Sequence, residues 1–508
     1  MGRYTFPNHK DFLDRHAELN RLQRWWEDDS DPFPLVLYGR RRTGKTWLLR
    51  EFAHGKDADI FVCDSRAEGD QLAHFAGILE GSVGVRPEIE DVRSFYRIVF
   101  RQAAAARRLV VIDEFPLLLG TSPSADSSLA GAMEEELGSS RLKLVLCGSH
   151  IATMETLLAE RAPLHGRGSP MLMRPLRFDE AIEFLRGFRP EDVIMRYALA
   201  GGMPLYLRRL GRKGSLRSIL CEDALSPLGP LFDEVREVLT MELTSTATHF
   251  SLLGALAGAP SLPWDELVSR SRVDEPAASK YIRILEDLHI VQAANPLFAP
   301  QNARRRRYRL ADPFMRFWFR FVFPYQADLA AGLKPEDHYD RNVAPYLSEH
   351  VAPVFEDVCR SWVRLRHGST TDTVGAWWGL ARHDLRRKRA RSTEEIDVVG
   401  ASGDRVTVVG ECRWQQRAMA REVLNDLLEF KLPALAQTRV EISSPSLALF
   451  SRAGFRDGLV NEAAERGDVE LVDLDRLLAD FRPGARSSAT RRGGRAPTRK
   501  ATRRHGSP

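Results

Sequence analysis

The feature that most constrains this chain is an apolar run that leads directly into a glycine-rich loop. Residues 35–38 read Leu-Val-Leu-Tyr, which is typical of a buried parallel strand. Residues 39–46 then fit the pattern Gly-x-x-x-x-Gly-Lys followed by Ser or Thr. Glycines allow the backbone N–H groups of such a loop to surround a phosphate, and the following helix adds its positive N-terminal end. The stretch therefore predicts a strand, a phosphate-binding loop and a helix.

The end of this loop carries the reactive side chains. Lys45 is placed to reach the β- and γ-phosphates of a nucleotide, and the Thr46 hydroxyl is placed to ligate Mg²⁺. The alternative is a chance Gly- and Arg-rich turn, which the strand before it and the helix after it argue against. The predicted nucleotide-binding residues of the loop are Gly39, Arg40, Arg41, Arg42, Thr43, Gly44, Lys45 and Thr46.

A second apolar run, residues 109–112, ends in the acids Asp113 and Glu114. A buried strand that opens into a site at its carboxyl end has this pattern, and Asp113 is then placed to hold Mg²⁺. Glu114 is placed to polarise an attacking water molecule. The alternative is a pair of surface acids at the end of a strand. Together with the loop, the two acids predict a nucleoside triphosphate site that hydrolyses its ligand.

Apolar strands alternate with helices between residues 33 and 150, which predicts a parallel sheet with helices on both faces. Ligands bind such sheets at the carboxyl ends of the strands, where Gly39, Asp113 and Ser149 all fall. Ser149 is a candidate γ-phosphate sensor, a helix N-cap, or both. Arg167 is a candidate arginine finger, acting in cis or in the next subunit of a homo-oligomer, or else a plain surface residue.

Length and composition set the limits around this centre. A chain of 508 residues predicts three or more domains, and 43% hydrophobic with 28% charged residues is typical of soluble proteins. No apolar run reaches the length of a membrane span, and no secretory leader is evident. Five scattered cysteines predict reduced thiols and a cytoplasmic location. The segment from residue 483 holds eight basic residues and no acid, which indicates a disordered tail able to contact an anionic polymer.

Residues 246–307 predict three helices followed by a hairpin, the order of a winged helix-turn-helix. Ser279, Lys280 and Arg283 fall on the exposed part of the third helix, where DNA would be contacted. Arg304–Arg307 lie on the wing side, where phosphate contacts would fall. The alternative is a module that only packs against the other domains. Residues 308–345 are rich in aromatic side chains and predict a hydrophobic joint.

Residues 346–482 hold a second group of acids. Glu356 lies on a predicted helix, whereas Asp397 and Glu411 lie on consecutive strands of a predicted hairpin and could hold Mg²⁺ between them. Arg413 points the same way as Glu411 because strand side chains alternate. The two acids share a face if the hairpin loop is odd, as residues 401–403 would make it, or if a bulge is present. A basic run precedes the hairpin: Arg382, Arg386, Arg387, Lys388, Arg389 and Arg391.

The order of these motifs resembles that of the archaeal-type ATPases of the AAA+/STAND group over the first half of the chain. The residues that carry the resemblance are Arg15, Glu18, residues 39–46, Asp113, Glu114, Gly148, Ser149, Arg167, Gly202 and Pro204. The resemblance implies ATP as the nucleotide, with Arg15 and Glu18 near its base and Pro204 in a Gly-x-Pro turn against the adenine.

The last third of the chain, without its tail, resembles the PD-(D/E)xK nuclease fold. That resemblance implies Mg²⁺-dependent phosphodiester cleavage at Glu356, Asp397 and Glu411. The family pattern has Lys two residues after the Glu, whereas this chain has Arg413, which cannot deprotonate and is bulkier. The departure leaves cleavage open while the expected fold stands.

The predicted fold class is α/β. It combines an AAA+-type P-loop sheet, a helical lid, a winged helix-turn-helix and a restriction-endonuclease-like domain. The predicted boundaries are 1–175 for the ATPase core, 176–245 for the lid, 246–307 for the winged helix, 308–345 for the joint, 346–482 for the nuclease-like domain and 483–508 for the tail. The predicted function is an ATP-hydrolysing switch that acts on DNA. The alternatives are an ATP-dependent DNA-binding regulator with an inactive nuclease fold and a STAND-type protein scaffold.

Overall fold

The computed structural model describes residue 13 and residues 15–243, 246–299, 305–382 and 392–482. The chain divides into two compact units. The first unit comprises residues 1–188, 193–295 and 301–351. The second comprises residues 189–192 and 296–300 and the chain from residue 352 onward. Most of the basic run before the hairpin, Arg304 and the tail from residue 483 lie outside the described residues.

A five-stranded parallel sheet forms the centre of the first unit, with the strand order β2-β3-β4-β1-β5. The strands are β1 (Leu35–Tyr38), β2 (Ala58–Val62), β3 (Arg108–Asp113), β4 (Leu142–Gly148) and β5 (Ser169–Leu172). The helices are α1 (His16–Glu27), α2 (Lys45–Ala53), α3 (Glu68–Val83), α4 (Val92–Gln102), α5 (Phe115–Thr121), α6 (Ala125–Glu136) and α7 (Ile151–Thr156). The predicted α/β class with a parallel sheet is confirmed. Strand β5 was not predicted, because a four-residue run that contains a proline carries little strand signal.

Strand β3 shows why the sheet needs helices on both faces. Val110 and Ile112 pack into the hydrophobic cluster on one side, whereas Leu109 and Val111 pack into the cluster on the other. Since strand side chains alternate, a strand that is apolar at every position can bury them only between two layers. The polar residues that follow the strand are thereby left at the sheet's carboxyl edge.

A helical segment follows the sheet. Its helices are α8 (Phe178–Ala181), α9 (Pro190–Ala200), α10 (Pro204–Leu210), α11 (Leu216–Leu220) and α12 (Glu234–Glu242). The turn before α10 requires glycine, because a Cβ on Gly202 would lie 1.9 Å from the carbonyl oxygen of Leu176. This close approach sets the start of α10 and hence the position of Pro204.

Three helices and a three-stranded antiparallel sheet come next. The helices are α13 (Thr246–Ala257), α14 (Trp264–Ser271) and α15 (Glu275–Asp287), and the strands are β6 (Leu262–Pro263), β7 (Val291–Ala294) and β8 (Arg307–Leu310), in the order β6-β8-β7. Strand β8 crosses the boundary predicted between residues 307 and 308, so this module extends to Leu310.

The aromatic segment after β8 is buried. Its helices are α16 (Pro313–Phe317), α17 (Gln326–Ala330) and α18 (Pro335–His338). The rings of Phe314, Phe317, Trp318 and Phe321 are each 2% exposed or less, and the Trp318 indole donates to the Phe232 carbonyl over 2.7 Å. These rings are therefore packed against the unit's own elements and are not available to stack on bases.

The second unit is built on a mixed five-stranded sheet with the order β13-β12-β11-β10-β9. Helix α19 (Leu347–His367) precedes it. The strands are β9 (Thr373–Leu380), β10 (Thr393–Ser402), β11 (Arg405–Arg413), β12 (Ser446–Ser451) and β13 (Val469–Asp473), and the other helices are α20 (Arg421–Asp426), α21 (Leu432–Leu435), α22 (Asp457–Arg466) and α23 (Leu474–Phe481).

The hairpin between β10 and β11 differs from the expected three-residue loop. Ser402 pairs with Arg405 across a two-residue turn, in which Gly403 has a left-handed φ of 56°. An even turn alone would separate the two acids, but the register shifts between Gly400 and Ala401, as in a β-bulge. Val398 then pairs with Gly410, which brings the flanking acids Asp397 and Glu411 opposite each other.

No helix among the described residues is long and apolar enough to cross a membrane. All five cysteines are buried free thiols.

Candidate active site

A cavity of about 510 Å³ opens at the carboxyl edge of the parallel sheet. The phosphate-binding loop and the first turn of α2 form one wall, from Arg41 to Trp47, and Glu114 and Ser149 lie at its base. Pro204 and Arg208 from α10 and Met241 from α12 line it from the helical segment. The structure thus brings together the predicted loop, the predicted acid, the predicted sensor and the predicted Gly-x-Pro turn.

The loop owes its shape to two glycines. Gly39 and Gly44 have φ angles of 156° and 93°, and a Cβ on Gly39 would lie 2.3 Å from the Met173 carbonyl oxygen. The Lys45 ammonium is 7% exposed and donates to the carbonyl oxygens of Gly39 (2.7 Å) and Arg40 (3.1 Å). Burial lowers the pKa of Lys45. The ammonium group is thus held by neutral carbonyl oxygens of its own loop.

Thr46 and Asp113 bring two oxygen donors together beside the loop. The Thr46 hydroxyl donates to Asp113 Oδ2 over 2.7 Å, and Asp113 is 3% exposed. A hydroxyl and a carboxylate beside a phosphate-binding loop are hard oxygen donors of the kind that Mg²⁺ prefers, so these residues fit the ion.

Glu114 lies next to this pair at the N-terminal end of α5, in a left-handed conformation with φ 56°. Its Oε2 atom accepts a hydrogen bond from the Ser149 hydroxyl over 3.0 Å. Ser149 therefore holds the carboxylate that is predicted to polarise water. Its predicted contact with a γ-phosphate stays a prediction.

The three consecutive arginines of the loop have different surroundings. Arg40 donates to Asp312, the N-cap of α16, over 3.0 Å, and Arg42 makes two bonds of 2.9 and 3.2 Å to Glu234 at the start of α12. The side chains of these two residues are thus held by carboxylates, although Arg42 still lines the cavity. Arg41 also lines the cavity and has no ion pair shorter than 3.9 Å among the described residues.

Arg15 and Pro204 lie at the cavity, and Arg167 does not. The buried Arg15 guanidinium donates to Glu18 (2.8 Å) and to the Thr43 carbonyl (2.9 Å), so it fixes the loop in place. Arg167 pairs with Glu134 on the outer helix α6 over 2.7 Å and is 39% exposed on its side chain. A role for Arg167 within its own subunit therefore finds no support in its position, while a role in a neighbouring subunit stays a prediction.

Sequence reasoning missed several residues around this cavity. Trp47 is 40% exposed beside the loop, with the Arg208 guanidinium 5.4 Å from its ring centroid. A bulky apolar residue exposed directly after the loop was a usable signal for Trp47. No local signal marked Glu234 or Asp312, because their significance arises only from contacts with a loop 192 and 272 positions earlier.

The acids of the second unit also lie together, but cations of the protein already neutralise them. Arg413 donates to Glu411 Oε2 (2.9 Å) and to Asp397 Oδ2 (3.3 Å), so its guanidinium bridges the two carboxylates. Lys431, which the sequence did not single out, donates to the other oxygen of Glu411 over 2.6 Å. Glu411 is fully buried, and burial, together with the charge of Asp397, raises its pKa to about 7.

The third acid, Glu356, faces the same residues from α19. Burial and the Asp397 charge raise its pKa to about 8. Arg360, one turn along the helix, lies 3.7 Å from Glu356 and donates to the Asp397 carbonyl over 2.6 Å. No group of three or more His, Cys, Asp or Glu residues in the described part of the chain is arranged to hold a metal ion. The residue types suit Mg²⁺, but the arrangement does not, because Arg413 occupies the bridging position.

The predicted DNA-contacting residues are exposed. Ser279, Lys280 and Arg283 lie on the solvent side of α15, and its buried side carries Ala278, Ile282 and Leu285. Arg306 pairs with Glu286, in the last turn of the same helix, over 2.7 Å.

The sheet, the loop and the acids define a P-loop ATPase. Residues 12–210 match a family model described as an ATPase domain predominantly from Archaea, and this part of the chain is an archaeal-type ATPase domain. Residues 318–423 match a model described as archaeal bacterial proteins of unknown function.

Individual proteins are similar to parts of this chain. The uncharacterized protein MJECL04 of Methanocaldococcus jannaschii is 25% identical over 413 residues, which are 80% of this chain and 88% of the relative. The uncharacterized ATP-binding protein MJ0423 of the same organism is 42% identical over 45 residues, 9% of this chain and 75% of the relative. Among solved structures, the Walker-type ATPase PABY2304 of Pyrococcus abyssi is 19% identical, with a TM-score of 0.49 over 63% of this chain and 98% of that chain.

Proposed function

We propose that this chain is an ATP-driven switch that acts on DNA. The observation that carries the proposal is that one compact unit holds both the cavity around Lys45 and helix α15, which exposes Lys280 and Arg283 to solvent. A change at the cavity can therefore reach the helix through packed elements of a single unit. We expect the protein to work in the cytoplasm, in keeping with its five free cysteines.

Hydrolysis at the cavity is assigned to five side chains. Lys45 binds the β- and γ-phosphates, and Thr46 and Asp113 would hold Mg²⁺, which neutralises phosphate charge when it is bound with ATP. Glu114 takes a proton from the attacking water, and the Ser149 hydroxyl orients that carboxylate from 3.0 Å. Pro204, which lines the cavity at the start of α10, is the proposed neighbour of the adenine.

DNA contact is proposed for the module from α13 to β8, which has the element order of a winged helix. Ser279, Lys280 and Arg283 on α15 would contact the groove, and the arginines of the β7–β8 hairpin would contact phosphates. The exposure of Lys280 and Arg283 on the helix and the arginines of the hairpin support this role.

For the second unit, the contacts of Arg413 favour holding DNA over cutting it. A guanidinium that bridges Asp397 and Glu411 takes the place of a bridging cation, so we derive no metal-dependent step there. Mg²⁺-dependent cleavage is the second candidate, and the proximity of Glu356 to Asp397 favours it.

Two assays test the proposal. Anisotropy of a labelled DNA duplex, with and without a nonhydrolysable ATP analogue, should report nucleotide-dependent and salt-sensitive binding. The double variant Lys280→Ala/Arg283→Ala should lower the salt slope by about 2, while Arg270→Ala on the neighbouring helix α14 should leave it unchanged. Binding without salt dependence, or no binding, would favour the protein scaffold.

Plasmid cleavage with ATP and Mg²⁺ or Mn²⁺ separates the two candidates for the second unit. We expect no cleavage by the wild type. Cleavage that disappears in Asp397→Ala would overturn the DNA-holding role and establish a nuclease.

A further inference from the structure

The loop contains three consecutive arginines. Arg41 and Arg42 line the cavity, and of the three only Arg41 has no hydrogen-bonded carboxylate among the described residues. Arg40 and Arg42 are held at hydrogen-bonding distance by Asp312 and Glu234. Arg41 lines the cavity together with Lys45, its side chain is 32% exposed, and its Nε atom has no hydrogen-bond partner among the described residues. Because buried donors are normally hydrogen-bonded, an unpaired Nε–H beside an anion-binding loop indicates that its acceptor is an oxygen of the bound anion.

Two carboxylates hold Arg41 loosely from opposite sides. Its Nη1 atom lies 4.0 Å from Glu114 Oε1, and its Nε atom lies 3.9 Å from Glu242 Oε1 on α12. Glu242 is 8% exposed on its side chain and has a buried oxygen, Oε2, without a partner in the described chain. At these distances the ion pairs lack hydrogen bonds, so a phosphate oxygen can displace them at little cost.

We propose that Arg41 is the charge-stabilising residue of ATP hydrolysis and that Glu242 is the positioning residue that holds it until ATP binds. The inference rests on the ATPase activity of the cavity. It places within the loop itself the positive charge that the sequence assigned to Arg167.

The step can be written in full. The oxygen of a water molecule forms a bond to the γ-phosphorus while the bond between that phosphorus and the bridging oxygen breaks. The bond's electron pair leaves with ADP, the water proton passes to Glu114, and inorganic phosphate departs. Negative charge develops on the γ-phosphoryl oxygens next to Glu114, which is the side on which the Arg41 guanidinium lies. Arginine suits this position because it stays protonated and presents several donors in a plane.

The test compares Arg41→Ala with the wild type in steady-state ATP hydrolysis and in equilibrium ATP binding. We expect kcat to fall by about 100-fold with ATP affinity changed by less than about 5-fold, because the contact strengthens as the transition state forms. Arg41→Lys should give an intermediate kcat, and guanidinium ion at millimolar concentration should partly restore Arg41→Ala, whereas sodium ion should not. Arg50→Ala, an exposed arginine on α2, is the matched control and should leave kcat unchanged.

The variant Glu242→Gln should strengthen the interaction with ATP. Removing the carboxylate frees Arg41, so KM for ATP should fall by about 3-fold, an effect that a purely structural residue would not produce. An Arg41→Ala variant with near wild-type kcat, or one that has lost ATP binding, would overturn the inference. If the wild type itself fails to hydrolyse ATP above the level of Lys45→Ala, the ATPase assignment fails instead, so the two failures are distinguishable.

Discussion

The cavity of the first unit and the acidic site of the second use the same kinds of residues to opposite effect. At the cavity, Lys45 is held by carbonyl oxygens, and Arg41 lies 3.9 Å or more from its acids. At the acidic site, Glu411 is bonded to Arg413 and Lys431 at 2.9 and 2.6 Å, and Asp397 to Arg413 at 3.3 Å. The first site keeps positive charge in reserve for a ligand, whereas the second has neutralised its charge internally. We call the cavity of the first unit the poised site and the acidic site of the second unit the closed site. Residue types alone do not distinguish the two, whereas the contacts do.

The largest expected effect is at the poised site. Glu114→Gln should lower kcat for ATP by about 10²–10⁴-fold, because the carboxylate that accepts the water proton is lost. ATP binding should persist, since glutamine keeps the shape and the contact to Ser149. Phosphate release and equilibrium nucleotide binding measure the two quantities. An active Glu114→Gln variant would place the general base elsewhere.

The second expected effect is a gain of metal binding at the closed site. Arg413→Ala removes the bridging guanidinium, so Asp397 and Glu411 should gain Mn²⁺ binding with a Kd of about 10⁻³ M, as in weak oxygen-ligand sites. Electron paramagnetic resonance of free Mn²⁺ measures this gain in an Asp113→Asn background without nucleotide, and Arg452→Ala provides a control. If the protein with Arg413 intact already takes up Mn²⁺ in an Asp397-dependent way, the contrast between the sites breaks down.

The third expected effect concerns the ion pair between Arg40 of the loop and Asp312, which we expect to contribute to the stability of the first unit. Asp312→Asn weakens the Arg40 pair, whose side chains are 10% and 2% exposed, and should lower the free energy of unfolding by about 2–3 kcal/mol. A double-mutant cycle with Arg40→Met isolates the coupling, which we expect to be about 1–2 kcal/mol. Denaturant melts of the four proteins provide the numbers, and additive losses would show that the pair contributes nothing of its own.

The smallest effect concerns pH. The pKa of Glu356 is raised to about 8 in the folded protein, so between its unfolded value near 4.5 and pH 8 the folded state binds the extra proton. Stability should therefore fall as pH rises through this window. Glu356→Gln should remove that fall and raise the melting temperature at pH 8 by a few degrees, about 2–4 °C, since 30% of the side chain is still exposed. A melting curve at pH 5 should show little difference, and equal shifts at both pH values would contradict the assignment.

Local pattern was enough to predict the centre of the first unit. The loop, Lys45, Thr46 and the acids at the end of β3 follow from short runs whose strand, turn and helix are encoded by neighbouring residues. The partners of Arg40 and Arg42 could not be predicted, because they lie 272 and 192 positions away. In the second unit, alternation correctly placed Arg413 beside Glu411. The three-residue turn was wrong, because a two-residue turn combined with a bulge, the other arrangement considered, brings the acids opposite each other equally well. Lys431 gave no signal because a single lysine in a helix is common.

The anchoring of the loop also bears on how this protein can be divided. The match to archaeal ATPase domains ends at residue 210. The carboxylates that bind Arg40 and Arg42, which are Asp312 and Glu234 respectively, lie beyond that residue. A fragment cut at residue 210 would keep every residue that gives the domain its sequence identity and lose the acids that hold its loop in shape. The segment recognised by homology is thus shorter than the compact unit that contains these pairs, which extends to residue 351.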